Sequence, residues 1–500
     1  MYSYGIRSRL LLAAYTCFSL LVSQAVASCK CCSSLSTAFP SKVSYPGTAT
    51  YSSAVSSYWA QQQQLMSPSC IFAPSSAKDI SQALSNVLVP GSCIFAVRGG
   101  GHASLTAASN TNEGVTIDLR GINSTSLSED NSKVSVGGGQ TIGNIYTLLA
   151  QYGLTIPAAR DFSIGIGGST LGGGIGYFGP SHGFAASSVV EFEVVIANGS
   201  IITANQSKNS DLWKALKGGG NNFGIVTKFV FSTFPLGGIW AGDVVLSSSK
   251  DTVEKAATAL YNFVANPNYD VNASAFVTYG FSSGVSVVLT EYTYTAPVSN
   301  ASVFAELLSI PGEKVSDTTA ITTLPQLSKQ SDGQSPSGLQ QITFAISFEN
   351  NVEMMVKAWD ILNASSPKIQ DIEGSSWGLT LEPIVPSMIV ENDVKYETVF
   401  DLQLPPEGLI MTICSANFNR SADYAYVSGA VQQLLSDLTS AAKGLGIYNR
   451  YIDMNHAMAG QDPLASYGAK SLGFLKTTAI KYDPKRIFQT LMPGGFKLRA

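Results

Sequence analysis

Glycine is the feature that most limits what this chain can fold into. It recurs in four clusters: Gly99–Gly101; Gly137–Gly139; the run Gly165, Gly167, Gly168, Gly172, Gly173, Gly174 and Gly176; and Gly218–Gly220 with Gly224. A residue without a Cβ marks where backbone turns sharply or approaches something closely. Any one cluster alone reads as an ordinary tight turn. Four in one region point to a large anionic ligand held by backbone N–H groups. No Lys-Ser/Thr follows the glycines, so this is not a P-loop. Gly174-Ile-Gly-Tyr-Phe-Gly179 matches the dinucleotide fingerprint in form, but Pro180-Ser-His-Gly183 follows it in place of a helix.

The clusters sit between short apolar runs. Ile94–Val97 and Val115–Leu119 read as buried strands. Thr141–Tyr152 reads as a helix, with Ile145, Leu148, Leu149 and Tyr152 at helical spacing and Gly153 as its stop. Glu191–Ala197 and Ser200–Ala204 flank Asn198-Gly199, a two-residue hairpin signal. Asp211–Lys217 reads as a short helix. Beyond residue 237 the texture changes. Val285–Thr295 and Ile342–Phe348 look like strands of one sheet, and Val253–Val264 and Val352–Leu362 like amphipathic helices. That is an α+β pattern, an antiparallel sheet backed by helices. Residues 28–65, rich in Ser, Ala and Gln, are expected to run over the surface. The ending Met492-Pro-Gly-Gly-Phe-Lys-Leu498 is expected to pack.

The first residues suggest export. Arg7 and Arg9 precede an apolar run, Leu10–Val22, and Ala25-Val26-Ala27 is a small-residue cleavage site, so 1–27 reads as a secretory signal peptide. The alternative, a membrane anchor, lacks length and a basic stop. Cys29, Cys31, Cys32, Cys70, Cys93 and Cys414 then remain, an even set that suits disulfides in an oxidising compartment. The 29–32 cluster is expected to pin the amino terminus to Cys70 and Cys93, with the pairing open. Zinc is the alternative, but no His lies near that cluster. Sequons at Asn123, Asn198, Asn205, Asn272, Asn300, Asn363 and Asn419 predict glycosylation. Net charge is −4 with no basic block, which argues against nucleic acid. The expectation is a secreted, soluble monomer, free of the membrane once the leader is removed.

The chain has only three histidines. His102 ends a strand–glycine turn, and an imidazole nitrogen is nucleophilic enough to bond a cofactor carbon. On its own it reads equally as a turn residue. Val97-Arg-Gly-Gly-Gly-His102 resembles the flavin-linking turn of the berberine-bridge-enzyme-like oxidases, a branch of the vanillyl-alcohol-oxidase flavoprotein group. Gly165-Ile-Gly-Gly-Ser-Thr-Leu-Gly-Gly-Gly-Ile-Gly176 resembles that family's second flavin loop. Asp211–Thr227, with Gly218-Gly-Gly-Asn-Asn-Phe-Gly224, is similar to the segment closing its FAD domain. Tyr482-Asp-Pro484 and Pro493-Gly-Gly-Phe496 are similar to its carboxyl-terminal signature. The resemblance spans nearly the whole mature chain, in the family's order, and is closest to its secreted fungal members.

The resemblance implies a two-domain α+β fold. A PCMH-type FAD-binding domain (66–237) follows the Cys/Ser-rich segment 28–65. A substrate domain with an antiparallel sheet backed by helices (238–447) comes next, and 448–500 return to pack on the FAD domain. It implies FAD bonded covalently through His102, with Arg98, Gly99, Gly100, Gly101, Gly165, Gly167, Gly168, Gly173, Gly174, Gly224, Ile225, Val226 and Asn455 beside it. No metal set is read. Some relatives attach FAD a second time through a Cys; Asp161 stands there, so one bond is expected. Asn455 matches a fixed family Asn, but Asp453 and His456 replace its aromatic neighbours. Asp453, His456 and Glu397 are the candidate catalytic groups, with Tyr396 and Asp401 further candidates; Asp453 reads equally as a solvated or capping residue, and His456 as a structural one. His182 reads as a turn residue.

The expected function is oxidation of a small specialised metabolite, of alcohol or phenol type, with ring closure as one outcome and O2 as acceptor. The alternatives are a secreted oligosaccharide oxidase and a non-catalytic flavin-binding protein. A hydrolase reading rests on Gly374-Ser-Ser-Trp-Gly378, which fits the nucleophile-elbow pattern, although no strand is read before it.

Overall fold

A computed structural model describes residues 30–282, 284–389 and 397–498. The leader read at 1–27, Cys29 and Tyr396 lie outside the described residues.

Strands Cys70–Phe72, Val115–Asp118 and Phe95–Arg98 run parallel, with Val115–Asp118 in the middle and Val43–Ser44 antiparallel at the edge. Every residue of the middle strand is buried, the polar Thr116 and Asp118 included. A second sheet orders its strands Thr125–Leu127, Lys133–Gly137, Ile225–Ser232, Val189–Val195 and Ile201–Asn205, all antiparallel. The hairpin forms at Asn198-Gly199, with Val195 opposite Ile201, but its loop has three residues, 197–199, not two: Ile196 N donates to Ser200 O, Gly199 N donates to Ile196 O, and Gly199 lies at φ +83°. The helix read over 141–152 spans Ile142–Ala150, and that read over 211–217 spans Ser210–Leu216.

From Ile239 onward a third, antiparallel sheet of nine strands takes over. Its central strands include Val285–Tyr294, Ala273–Ser282, Ser376–Ile384, Leu409–Phe418 and Gln340–Glu349. The pairing puts alternate residues on opposite faces. Ala275, Val277, Tyr279, Leu379, Leu381, Phe344 and Ile346 share one buried, apolar face, covered by helices Lys250–Val264, Val352–Ser365 and Tyr424–Gly444. The opposite face carries Glu291, Thr278, Thr380, Glu382, Ser415 and Thr343, and it turns toward the glycine loops.

Residues 30–65 follow the composition-based expectation only in part: 45–50 are exposed, but other positions of the segment are buried. Cys31 pairs with Cys93 and Cys32 with Cys70, and Leu35, Tyr58, Ala60 and Gln63 are buried. A few apolar and disulfide-forming side chains outweigh many small polar ones, because burial depends on what each position touches. Cys414 departs from the even cysteine count: it is a free thiol buried in strand Leu409–Phe418, and burial pushes its pKa well up. The end of the chain packs as expected. Phe95 N donates to Leu491 O at 2.8 Å, and Asn222 donates to Phe496 O at 3.0 Å. Among the described residues no helix is long and apolar enough to cross a membrane.

Candidate active site

The glycine clusters, far apart in sequence, meet. A Cβ on Gly100 would overlap the backbone N of Gly165, and one on Gly165 would overlap the backbone N of Gly100. The turn after strand Phe95–Arg98 and the second glycine loop therefore cross main chain to main chain, a contact only glycine permits. Gly138 joins them, its carbonyl 3.3 Å from a Cβ placed on Gly99 and 3.0 Å from one placed on Gly167. Val226 O closes on Gly138 from the other side, at 2.5 Å from its Cβ position. Gly224 packs on Val194 and Val195, and Ile225 pairs with Val195.

His102 emerges from this crossing. The indole of Trp59 stacks on its ring. Nε2 is buried and has no partner among the described residues. Burial holds its pKa below the usual imidazole value, against the pull of Asp161 and Asp332. A ring nitrogen of His102 and carboxylate oxygens of Asp161 and Asp332 lie within 4.8 Å of one another, the grouping among the described residues closest to a cation site. Ser331 Oγ donates to Asp161 at 2.6 Å, and Ser163 N to Asp332 at 2.9 Å. The loop after His102 is pinned by Gln62, whose Nε2 donates to Ser104 O, and by Gln63, whose Nε2 donates to Ala103 O at 2.7 Å. Sequence reasoning missed Trp59, Gln62, Gln63 and Asp332; the aromatic Tyr58-Trp59 inside a Ser/Gln-rich stretch was the available signal.

Arg98 is fully buried, and its guanidinium is taken up by the N-terminal segment. It donates to Ala54 O and, at 2.8 Å, to Ser57 O, and lies 3.8 Å over the Tyr58 ring. Its Nε has no partner among the described residues and lies against the Gly101 turn.

Asn455 reaches the second glycine loop. Its Nδ2 donates to Ser169 O at 3.0 Å, and its side chain fills the space a Cβ on Gly172 would need. Two residues earlier, Asp453 is buried, and its Oδ2 accepts from His456 Nδ1 at 2.7 Å and from His456 N at 3.2 Å. Glu397 is not brought into this pair; its carboxylate is held by Lys214. Asp401 pairs with Arg450 at 3.2 Å. His182 closes the one-turn helix Gly179–His182 and stacks on Phe234 with centroids 3.7 Å apart, a structural position.

The polar face of the large sheet covers the loops. Thr343 Oγ1 and Ser104 Oγ are 2.7 Å apart, and Gln62 also donates to Gln341 O at 2.6 Å. Arg160, beside Asp161, crosses into the sheet and donates to Glu382 at 2.7 Å, with Glu291 at 3.7 Å. These two carboxylates keep Arg160 charged despite burial, while burial raises Glu291 well above the carboxylate range. Gly374-Ser-Ser-Trp-Gly378 leads directly into strand Ser376–Ile384 instead of a strand-to-helix turn, which removes the hydrolase reading.

Residues 68–205 match a family of FAD binding domains. The chain is 32% identical over 476 residues to an FAD-dependent monooxygenase, sdcF, of Emericella nidulans, covering 94% of this chain and 98% of the relative. It is 30% identical to a bifunctional solanapyrone synthase of Alternaria solani, over 86% of this chain and 82% of that one. In fold it is similar to a carbohydrate oxidase from Microdochium nivale, with TM-score 0.76 and 18% identity over 94% of this chain and 99% of the other.

Proposed function

Since the chain belongs to the berberine-bridge-enzyme-like family of FAD-dependent oxidoreductases, we propose that it oxidises a small specialised metabolite of alcohol or phenol type, with FAD tethered through His102 alone and O2 as the acceptor. The observation that carries the tether is the unpartnered Nε2 of His102 on the glycine crossing.

The residues fit FAD. Besides that orphaned nitrogen, the main-chain N–H groups from Gly100 to Ser104 donate to no protein acceptor among the described residues, as an anion cradle requires. Asp161, at the position of the second anchor in some relatives, is a carboxylate and supports a single bond. When bound, FAD supplies two-electron oxidation of the substrate. The chain does the rest. The crossing loops fix the cofactor's place, Trp59 holds the His102 ring, and the polar sheet face closes over both and limits water.

Similarity to fungal FAD-dependent monooxygenases and to a bifunctional solanapyrone synthase supports a metabolite substrate. The fold shared with a carbohydrate oxidase supports oligosaccharides as the second reading. The substitution at Asp453 supports the third, a flavin protein without turnover. One experiment separates them: anaerobic bleaching of the flavin by a panel of aromatic and polyketide alcohols and oligosaccharides. Bleaching by sugars alone rejects the metabolite reading, and bleaching by nothing favours the non-catalytic one. Colour that survives denaturation and precipitation in the wild type, and is lost from His102→Ala, supports the tether; a colourless folded protein refutes it.

We also place the protein, as a monomer, in the secretory route. The leader, the two disulfides, and the exposure of Asn123, Asn198, Asn272 and Asn300 support this, while Asn205, Asn363 and Asn419 are half-buried. A mass shift on endoglycosidase treatment of medium-derived protein checks the route, and sedimentation checks the monomer.

A further inference from the structure

We propose that the proton acceptor of the oxidation is His456, and that Asp453 is a positioning residue that sets its tautomer. The proposal deepens the oxidase reading and rests on it for the identity of the reaction.

An ionised carboxylate only accepts hydrogen bonds. With Asp453 Oδ2 at 2.7 Å from Nδ1 and 3.2 Å from the backbone N of the same histidine, the proton of a neutral His456 sits on Nδ1 and Nε2 keeps its lone pair. Asp453 is itself out of reach of a substrate: its side chain is 1% exposed, against 37% for His456. Nε2 of His456 has no hydrogen-bond partner among the described residues. The segment is anchored on the flavin side, because Asn455 binds Ser169 O in the second glycine loop. His456 is also near enough to His102 for its charge to oppose protonation there. The Asn455 contact thus sets the His456 segment beside the second glycine loop, with the imidazole partly exposed and the buried carboxylate of Asp453 behind it. With FAD bound as the two-electron oxidant, a substrate hydroxyl would give its proton to Nε2 as its carbon gives up one hydride, which carries both electrons of the C–H bond. The C–H bond breaks, a C=O bond forms, and the imidazolium, paired with Asp453, later returns the proton to water.

Two measurements test this. With three histidines in the chain, ¹⁵N-histidine labelling of the flavin-loaded protein reads the tautomer of each ring, His182→Gln and His102→Ala serving for assignment. The expected result is Nδ1–H with a bare Nε2 at His456, and a switch to Nε2–H in Asp453→Asn. A proton on Nε2 in the wild type, or no change in Asp453→Asn, overturns the proposal. In the second, a compound that bleaches the wild-type flavin is presented anaerobically. His456→Ala, or His456→Gln if the alanine variant fails to fold, should slow bleaching about 100-fold or more. Added imidazole should restore the alanine variant and leave Asp453→Asn slow. A wild-type rate in either His456 variant refutes the dyad. If nothing in the panel bleaches the wild-type flavin, the oxidase reading fails, and the tautomer measurement still decides the pair.

Discussion

The indole of Trp59 lies parallel to the imidazole of His102, ring centroids 4.3 Å apart and planes within 10°. One ring comes from the N-terminal segment and the other from the glycine turn. The stack ties the Cys31–Cys93 and Cys32–Cys70 staples to the residue that is to carry the cofactor.

Such a stack is worth about 1 kcal/mol beyond burial, enough to hold one ring orientation over its alternatives. Trp59→Ala should therefore raise the fraction of flavin released on acid precipitation, while Trp59→Phe keeps most of it bound. Absorbance of the supernatant and pellet reads the fraction. Equal release from Trp59→Ala and the wild type would remove Trp59 from the tethering step.

The loop crossing makes a sharper distinction between glycines. Gly165→Ala forces a Cβ into the main chain of Gly100, whereas a Cβ on Gly168 meets nothing within 4 Å. Thermal melts should show a loss of several kcal/mol, or no folded protein, for Gly165→Ala, and a Tm near wild type for Gly168→Ala. Comparable melting of the two variants would contradict the crossing.

Arg160 joins the two halves of the molecule by pairing with Glu382 and Glu291. Arg160→Met leaves the Glu382 carboxylate buried without its cation, a loss of about 3–5 kcal/mol. Arg160→Met combined with Glu382→Leu should recover part of it. Urea titrations of the single and double variants measure the coupling.

Lys497 gives a pH signature. Burial lowers its ammonium to about 7, against the opposing pull of Asp483, and Nζ donates to Asn221 Oδ1 at 3.0 Å. An unfolded lysine titrates near ~10.4, so between these values the unfolded chain binds more protons than the folded one. Stability should rise from pH 7 toward pH 10 and be flat with respect to this group below 7. Lys217, also lowered to about 7 by burial, adds the same slope. In Lys497→Gln the slope of Tm against pH should be shallower but present; an unchanged slope would place the Lys497 ammonium in water.

Local pattern in this chain was legible to within a few residues. The strand before Gly99, the helix before Gly153, the Asn198-Gly199 hairpin and the helices over 253–264 and 352–362 all form where periodicity and turn chemistry put them. Each is decided by contacts close in sequence. The surface expectation for residues 30–65 held only in part for the opposite reason: the partners of Cys31, Cys32, Tyr58 and Trp59 lie far along the chain, and composition carries no record of them.

His102 and its glycines were thus the sequence's own contribution. Spacing alone marked a backbone that must approach a large ligand, and the order of the motifs identified the family. Tertiary structure decided what those residues do. It crossed the turn at Gly100 over Gly165, laid Trp59 on His102, set Asp161 and Asp332 beside that ring, and took Arg98 and Glu397 into other pairings. It also buried Asp453 behind His456, which sequence reasoning had ranked as two separate candidates. The physical reason is range. Hydrogen bonding within a turn and side-chain periodicity act over a few residues and can be read from one stretch of chain. Close packing between segments depends on which distant surfaces the whole fold brings together, and so do the burial of a charge and the choice of its partner.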